Sequence, residues 1–119
     1  MHILITGGCG FVGSHIVNYL WDNSIATKIT VLDKMTYASD DTYISDVPAR
    51  LIIKDVNDVE AEDLAGVDLV IHAAAESHVD NSFKNSMEFT LSNTLGTHKL
   101  LHVACEARTK MFIHISTDE

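Results

Sequence analysis

The chain has 119 residues, 46% of them hydrophobic and 21% charged, with a formal net charge of −9, which fits one modest globular domain and excludes a disordered or fibrous chain. The acidic balance argues against a nucleic-acid partner, which normally meets a basic face, and no apolar run approaches the ~20 residues of a membrane helix. Cys9 and Cys105 show neither disulfide nor zinc spacing, no metal-ligand cluster stands out and no leader precedes the first apolar run, so a cytoplasmic chain with reduced thiols and no metal is expected.

Residues 2 to 6 (HILIT) predict a first strand that runs into glycines, and residues 11 to 22 predict a helix with Val12, Ile16, Tyr19 and Leu20 at helical spacing. Residues 28 to 32 (KITVL) form a second β-rich run ending on Asp33, and 50 to 54 (RLIIK) a third ending on Asp55. The polar stretch between them holds the single proline, Pro48, and reads mostly as loop. A weak helix is expected over 58 to 65, with its acids as a solvated helix start, then a fourth strand at 68 to 72 (DLVIH). Residues 82 to 108 read as one long helix with Met87, Leu91, Leu95, Leu101 and Cys105 on one apolar stripe, and 111 to 115 (MFIHI) as strand five. Strands apolar throughout, alternating with helical segments, predict an α/β fold with a doubly wound parallel sheet, a Rossmann fold of order 3-2-1-4-5. Its ligand site lies at the C-terminal ends of the strands. His72 and His114, inside strands, are expected to be satisfied core residues.

The candidate site residues cluster just after those strands. TGGCGFVG, residues 6 to 13, places Gly7, Gly10 and Gly13 between the first strand and the first helix. Their expected roles are a tight turn at Gly7, backbone approach to a pyrophosphate at Gly10 and close helix packing at Gly13. Asp33 follows Gly13 by 20 residues, at the end of the second strand, where an acid can bind both ribose hydroxyls of NAD. A 2′-phosphate would meet that negative charge, so NAD is expected over NADP, with the neighbouring Lys34 working against the preference.

With TGGCGFVG, Asp33-Lys34, HAAAESHVD (72 to 80), SNTLGTH (92 to 98) and HISTDE (114 to 119) in that order, the chain resembles the extended short-chain dehydrogenases/reductases, and within them the nucleoside-diphosphate-glucose 4,6-dehydratases. The resemblance runs over essentially the whole chain and implies one NAD-binding Rossmann domain over 1–119. It implies cofactor contacts from Phe11 and Val12, from Asp33, Lys34, Met35 and Thr36, from Asp55 and Val56, from Ala73, Ala74, Ala75, Glu76 and Ser77, and from Ser92. Thr117 and Ser77 are implied to hold the sugar, and Asp118 and Glu119 to be the acid and base of dehydration. The substrate implied is a nucleoside-diphosphate-glucose, dTDP-glucose narrowly ahead of UDP-glucose, and the parent enzyme is implied to be a homodimer. Two adjacent carboxylates reach one substrate only if the chain leaves its strand near Ser116, because neighbouring strand residues face opposite ways.

One departure is large. The family's redox step uses a Tyr four residues before a Lys, and the residues four after Tyr19, Tyr37 and Tyr43 are Asn23, Asp41 and Val47. The resemblance therefore covers only the cofactor portion of such an enzyme, ending in a sheet truncated after strand five, and the chain alone is expected to be inactive. A stand-alone or remnant NAD-binding module is the alternative from a different class; a nucleotide-sugar 4-epimerase relative is a third, opposed by Thr117-Asp118-Glu119. A sheet without its next crossover helix is also expected to leave part of one apolar face uncovered. Among lesser candidates, His78 faces the ligand end and Asn93 is a candidate for ordering the site's floor.

Overall fold

A computed structural model describes residues 1–35, 41–74 and 86–115, with side chains left aside at 41 and 86–93. Five strands, β1 (His2–Thr6), β2 (Lys28–Asp33), β3 (Arg50–Ile53), β4 (Leu69–His72) and β5 (Met111–His114), form one sheet of order β3-β2-β1-β4-β5. Every pairing is parallel, in registers such as Ile5 with Val31, Ile5 with Ile71 and Ile71 with Ile113. This is the doubly wound Rossmann-like order, and it follows from right-handed crossovers between parallel strands.

The sheet is covered on both faces, as strands without polar alternation require. On one side Ile3, Ile5, Ile29, Val31, Leu69 and Ile71 pack against Val17 and Leu20 of helix α1 (Phe11–Asp22) and against Ile44 and Val47. On the other, Leu4, Leu32 and Val70 meet Val59, Leu64 and Val67, together with Leu100, Val103 and Ala104 of helix α2 (Ser86–Glu106). The weak helix expected over 58 to 65 is two 3-10 turns, Val56–Asp58 and Ala61–Leu64. Asp63 stabilises the second by accepting from the Glu60 N–H at 2.9 Å and from Lys54 Nζ at 2.9 Å.

Both long helices stop without glycine. In α1 the Ile25 N–H donates to the Leu20 carbonyl and the Ser24 N–H to that of Trp21; in α2 the Thr109 N–H donates to Ala104 and the Arg108 N–H to Cys105. This double bond pattern is the Schellman motif, whose penultimate residue must be left-handed, and Ser24 and Arg108 take φ of 57° and 58°.

Two expectations are corrected. The apolar stripe assigned to α2 is not its buried face: Leu95, Leu101 and Cys105 are exposed, while Gly96, Leu100, Val103 and Ala104 are buried; the side chains of Met87 and Leu91 lie outside the described residues. The buried face carries Leu100 and Val103 between Gly96 and Ala104, and a Cβ at Gly96 would meet Val56 at an ordinary contact distance of 3.6 Å. His114 is not a core residue either. It is exposed because β5 is an edge strand of this sheet, where Met111 and Ile113 are also 53% and 42% exposed, an uncovered apolar patch as expected.

Candidate functional site: a strand-end loop and the start of a helix

The turn after β1 is built around Gly7, whose φ of 71° is left-handed and whose Cβ, if present, would lie 2.9 Å from the Ala74 backbone. Only glycine meets both demands. The Gly7 N–H donates to the Leu32 carbonyl at 2.8 Å, and its own carbonyl accepts from the Gly10 N–H at 3.0 Å, which folds residues 7–10 into a compact turn. A Cβ at Gly13 would fall 2.0 Å from the Gly7 carbonyl oxygen, and one at Gly8 2.6 Å from Val31. Gly13 thus seats α1 directly on the loop. Gly8 is a packing glycine that the spacing argument passed over; the doubled glycine after Thr6 was its signal.

Gly10 differs from these three. It is the N-cap of α1 with φ −81° and ψ 177°, extended backbone open to any residue, and its Cβ would meet only the Gly7 carbonyl oxygen at 3.3 Å. The fold asks for glycine at 7, 8 and 13 far more than at 10. What stands there is the start of α1, which has neither a side-chain cap nor an acid in its first turn. The first-turn N–H groups of a helix lack intrahelical acceptors and carry the positive end of its dipole, an arrangement that favours an anion. Phe11 and Val12 begin the helix and are 73% and 53% exposed.

Asp33 closes the opposite side. It is buried, and its carboxylate accepts from the Cys9 N–H at 3.0 Å and from the Met35 N–H at 2.7 Å. One side chain therefore ties the glycine loop to the end of β2. Met35 has φ 58°, an uncommon conformation for a long side chain and a cost tolerated at ligand sites, and its side chain packs against the core. Lys34 between them is exposed.

Asp55 serves the fold, because its carboxylate caps the 3-10 turn by accepting from the Asn57 N–H at 2.9 Å and the Asn57 side-chain amide at 3.1 Å. Val56 packs on the α2 side of the core. Ala73 and Ala74 follow β4 and donate both backbone N–H groups to the Thr6 hydroxyl at 3.1 Å. That hydroxyl also lies 2.6 Å from His72 Nδ1, while His72 Nε2 is 3.0 Å from the Thr97 hydroxyl of α2. Burial, and secondarily the His114 ring stacked 5.1 Å away, push His72 down to about 4.

The glycine loop, Asp33 to Met35, Asp55 with Val56, and Ala73 with Ala74 thus all lie beyond the C-terminal ends of β1 to β4, where a doubly wound sheet takes its ligand. Thr36, Ala75, Glu76, Ser77, His78, Thr117, Asp118 and Glu119 lie outside the described residues, as do the side chains of Ser92 and Asn93.

A family model described as the NAD dependent epimerase/dehydratase family matches residues 3–119. The chain belongs to this family. It is 46% identical to a dTDP-D-glucose 4,6-dehydratase of Dictyostelium discoideum, over 98% of this chain and 29% of that protein. It is 44% identical to a trifunctional UDP-glucose 4,6-dehydratase, epimerase and reductase of Arabidopsis thaliana, over 99% of this chain and 19% of that one. Among solved structures, the dTDP-glucose 4,6-dehydratase DesIV of Streptomyces venezuelae, with NAD bound, superposes with a TM-score of 0.93 at 40% identity, over all of this chain and 40% of that one. The chain therefore spans well under half the length of these relatives and matches their N-terminal part. Among the described residues, no helix is long and apolar enough to cross a membrane.

Proposed function

We propose that residues 1–119 are the NAD-binding portion of a nucleotide-sugar 4,6-dehydratase. The observation that carries the reading is the start of α1 at Gly10, without a side-chain cap or a first-turn acid, whose N–H groups suit a pyrophosphate. Asp33 offers the acid for the adenosine ribose, flanked by Lys34, Met35 and Thr36, and the same carboxylate already orders the loop. Asp55, Val56, Ala73 to Ser77 and Ser92 are the further cofactor contacts that the resemblance implies.

NAD held by these residues would supply the redox chemistry, accepting a hydride from C4 of the glucose and giving it back at C6, while the C4 hydroxyl proton would go to a base that the three tyrosines of this chain do not provide. The protein groups move protons. With C4 a ketone, Glu119 removes the acidified C5 proton, Asp118 protonates the C6 hydroxyl as it leaves as water, and Glu119 gives its proton back to C5 as the hydride reaches C6. Thr117 and Ser77 hold the sugar. One carboxyl of the pair must be held neutral near pH 7, which requires environments that separate their pKa values.

The 119-residue chain alone turns over no nucleotide sugar, because none of its three tyrosines stands four residues before a lysine. That same feature favours the second reading, an NAD-binding module without catalysis. Thr117-Asp118-Glu119 speaks against an epimerase, and similarity to both dTDP- and UDP-glucose dehydratases leaves the substrate a nucleoside-diphosphate-glucose, dTDP ranked first. The full enzyme is a cytoplasmic homodimer, and the exposed apolar residues Leu95 and Leu101 of α2 offer it a pairing face.

Calorimetric titration with NAD and with NADP tests the reading. Tighter binding of NAD, reversed or levelled in Asp33→Gly, is expected; equal binding of the two by the wild-type chain would overturn the assignment of Asp33. Product formation from dTDP-glucose by the 119-residue chain would overturn its inactivity.

A further inference from the structure

The Thr6 hydroxyl accepts from the Ala74 N–H and from the Ala73 N–H, the latter shared with the Thr6 backbone carbonyl at 3.2 Å. A hydroxyl has two acceptor lone pairs and one proton. With both lone pairs engaged, its proton has one role left, donation to His72 Nδ1 at 2.6 Å. His72 must then be neutral with its own proton on Nε2, and that proton is donated to the Thr97 hydroxyl at 3.0 Å.

We infer that Thr6, His72 and Thr97 form a directional hydrogen-bond relay by which helix α2 holds the floor of the glycine loop in place, so that His72 is a positioning residue for the dinucleotide site. The mechanical link is short. The relay fixes the Ala73-Ala74 backbone, on which Gly7 sits so closely that a Cβ there would reach 2.9 Å. The Gly7 carbonyl in turn holds the Gly10 N–H at 3.0 Å, at the mouth of the anion site. A protonated His72 would aim an Nδ1–H at a hydroxyl with no lone pair to spare, and His114, stacked on the ring at 5.1 Å, adds no acceptor along that line. The burial that pushes His72 downward supports the same neutral form.

The inference rests on the NAD reading for its ligand but not for its geometry, and the test separates the two. Nitrogen-15 spectra of the wild-type chain at pH 7 should show one His72 tautomer, protonated on Nε2. Thr97→Val removes the relay's far end without touching the proposed cofactor contacts; it should weaken NAD binding roughly tenfold, the worth of about one hydrogen bond, and speed amide exchange at Ala73 and Ala74. Thr97→Ser should restore both. A wild-type proton on Nδ1, or unchanged amide exchange in Thr97→Val, would overturn the relay. Unchanged NAD affinity in a variant that has merely lost thermal stability would overturn the positioning role. If the wild-type chain binds no NAD, the proposed function fails, and the tautomer and exchange measurements still decide the relay.

Discussion

Replacing Gly13 and Gly10 by alanine separates what the loop does for the fold from what it does for a ligand. The added methyl at position 13 would stand 2.0 Å from the Gly7 carbonyl oxygen and 2.9 Å from the Gly8 Cα. Both neighbours are backbone, so the contact is relieved only by moving α1 outward by more than an ångström or by breaking the turn. Overpacking of this kind costs ~1–3 kcal/mol where side chains can yield, and here they cannot, so about 3 kcal/mol or more is expected. For a domain of this size that lowers the melting temperature by roughly 10 °C. At Gly10 the methyl meets a single atom at 3.3 Å with the backbone already extended, and the loss should be about 1 kcal/mol, that of a poorer N-cap. Urea denaturation followed by circular dichroism gives both values, and NAD titration gives the other half: Gly10→Ala should stay folded and lose most of its NAD affinity. A Gly13→Ala chain as stable as wild type would refute the packing argument, and a Gly10→Ala chain with full NAD affinity would refute the ligand argument.

Acid should destabilise the chain earlier than its carboxylates alone require. His72 is held at about 4 against an ordinary 6.5, so the unfolded chain binds a proton there that the folded chain refuses. The stability this contributes is complete above ~6.5 and lost as pH falls toward ~4, about 2 kcal/mol of it between pH 7 and 5; His72→Asn should flatten that slope in urea titrations. Arg108→Gly and Ser24→Gly relieve left-handed residues in the two Schellman motifs, and each should stabilise by about 0.5–1 kcal/mol, read as a rise in urea midpoint at constant slope.

The strands and their order were legible because a parallel sheet buried on both faces writes itself as apolar runs ending in glycine or acid. Gly7 and Gly13 were legible for the same reason, since one turn geometry dictates their spacing. The inward face of α2 was not, because apolar residues occur on both of its sides, Leu100 and Val103 inward and Leu95 and Leu101 outward, and a hydrophobic pattern alone does not choose between them. His114 was misplaced because its burial was assigned from the strand pattern alone, although the order 3-2-1-4-5 already sets β5 at the edge. The bond from Cys9 to Asp33 and the Thr6-His72-Thr97 series depend on contacts between residues far apart in sequence, such as 66 positions between Thr6 and His72, and no local periodicity carries them.

The most direct test of a dinucleotide site at the strand ends is to map NAD onto the backbone amides of the 119-residue chain by heteronuclear NMR. The account predicts saturable shifts at residues 7–13, at Asp33 to Met35 and at Ala73 and Ala74, with the amides of Phe11 and Val12 among the largest. Shifts confined to the opposite end of the sheet, around His2, Lys28 and Asp68, or none at millimolar NAD, would contradict it.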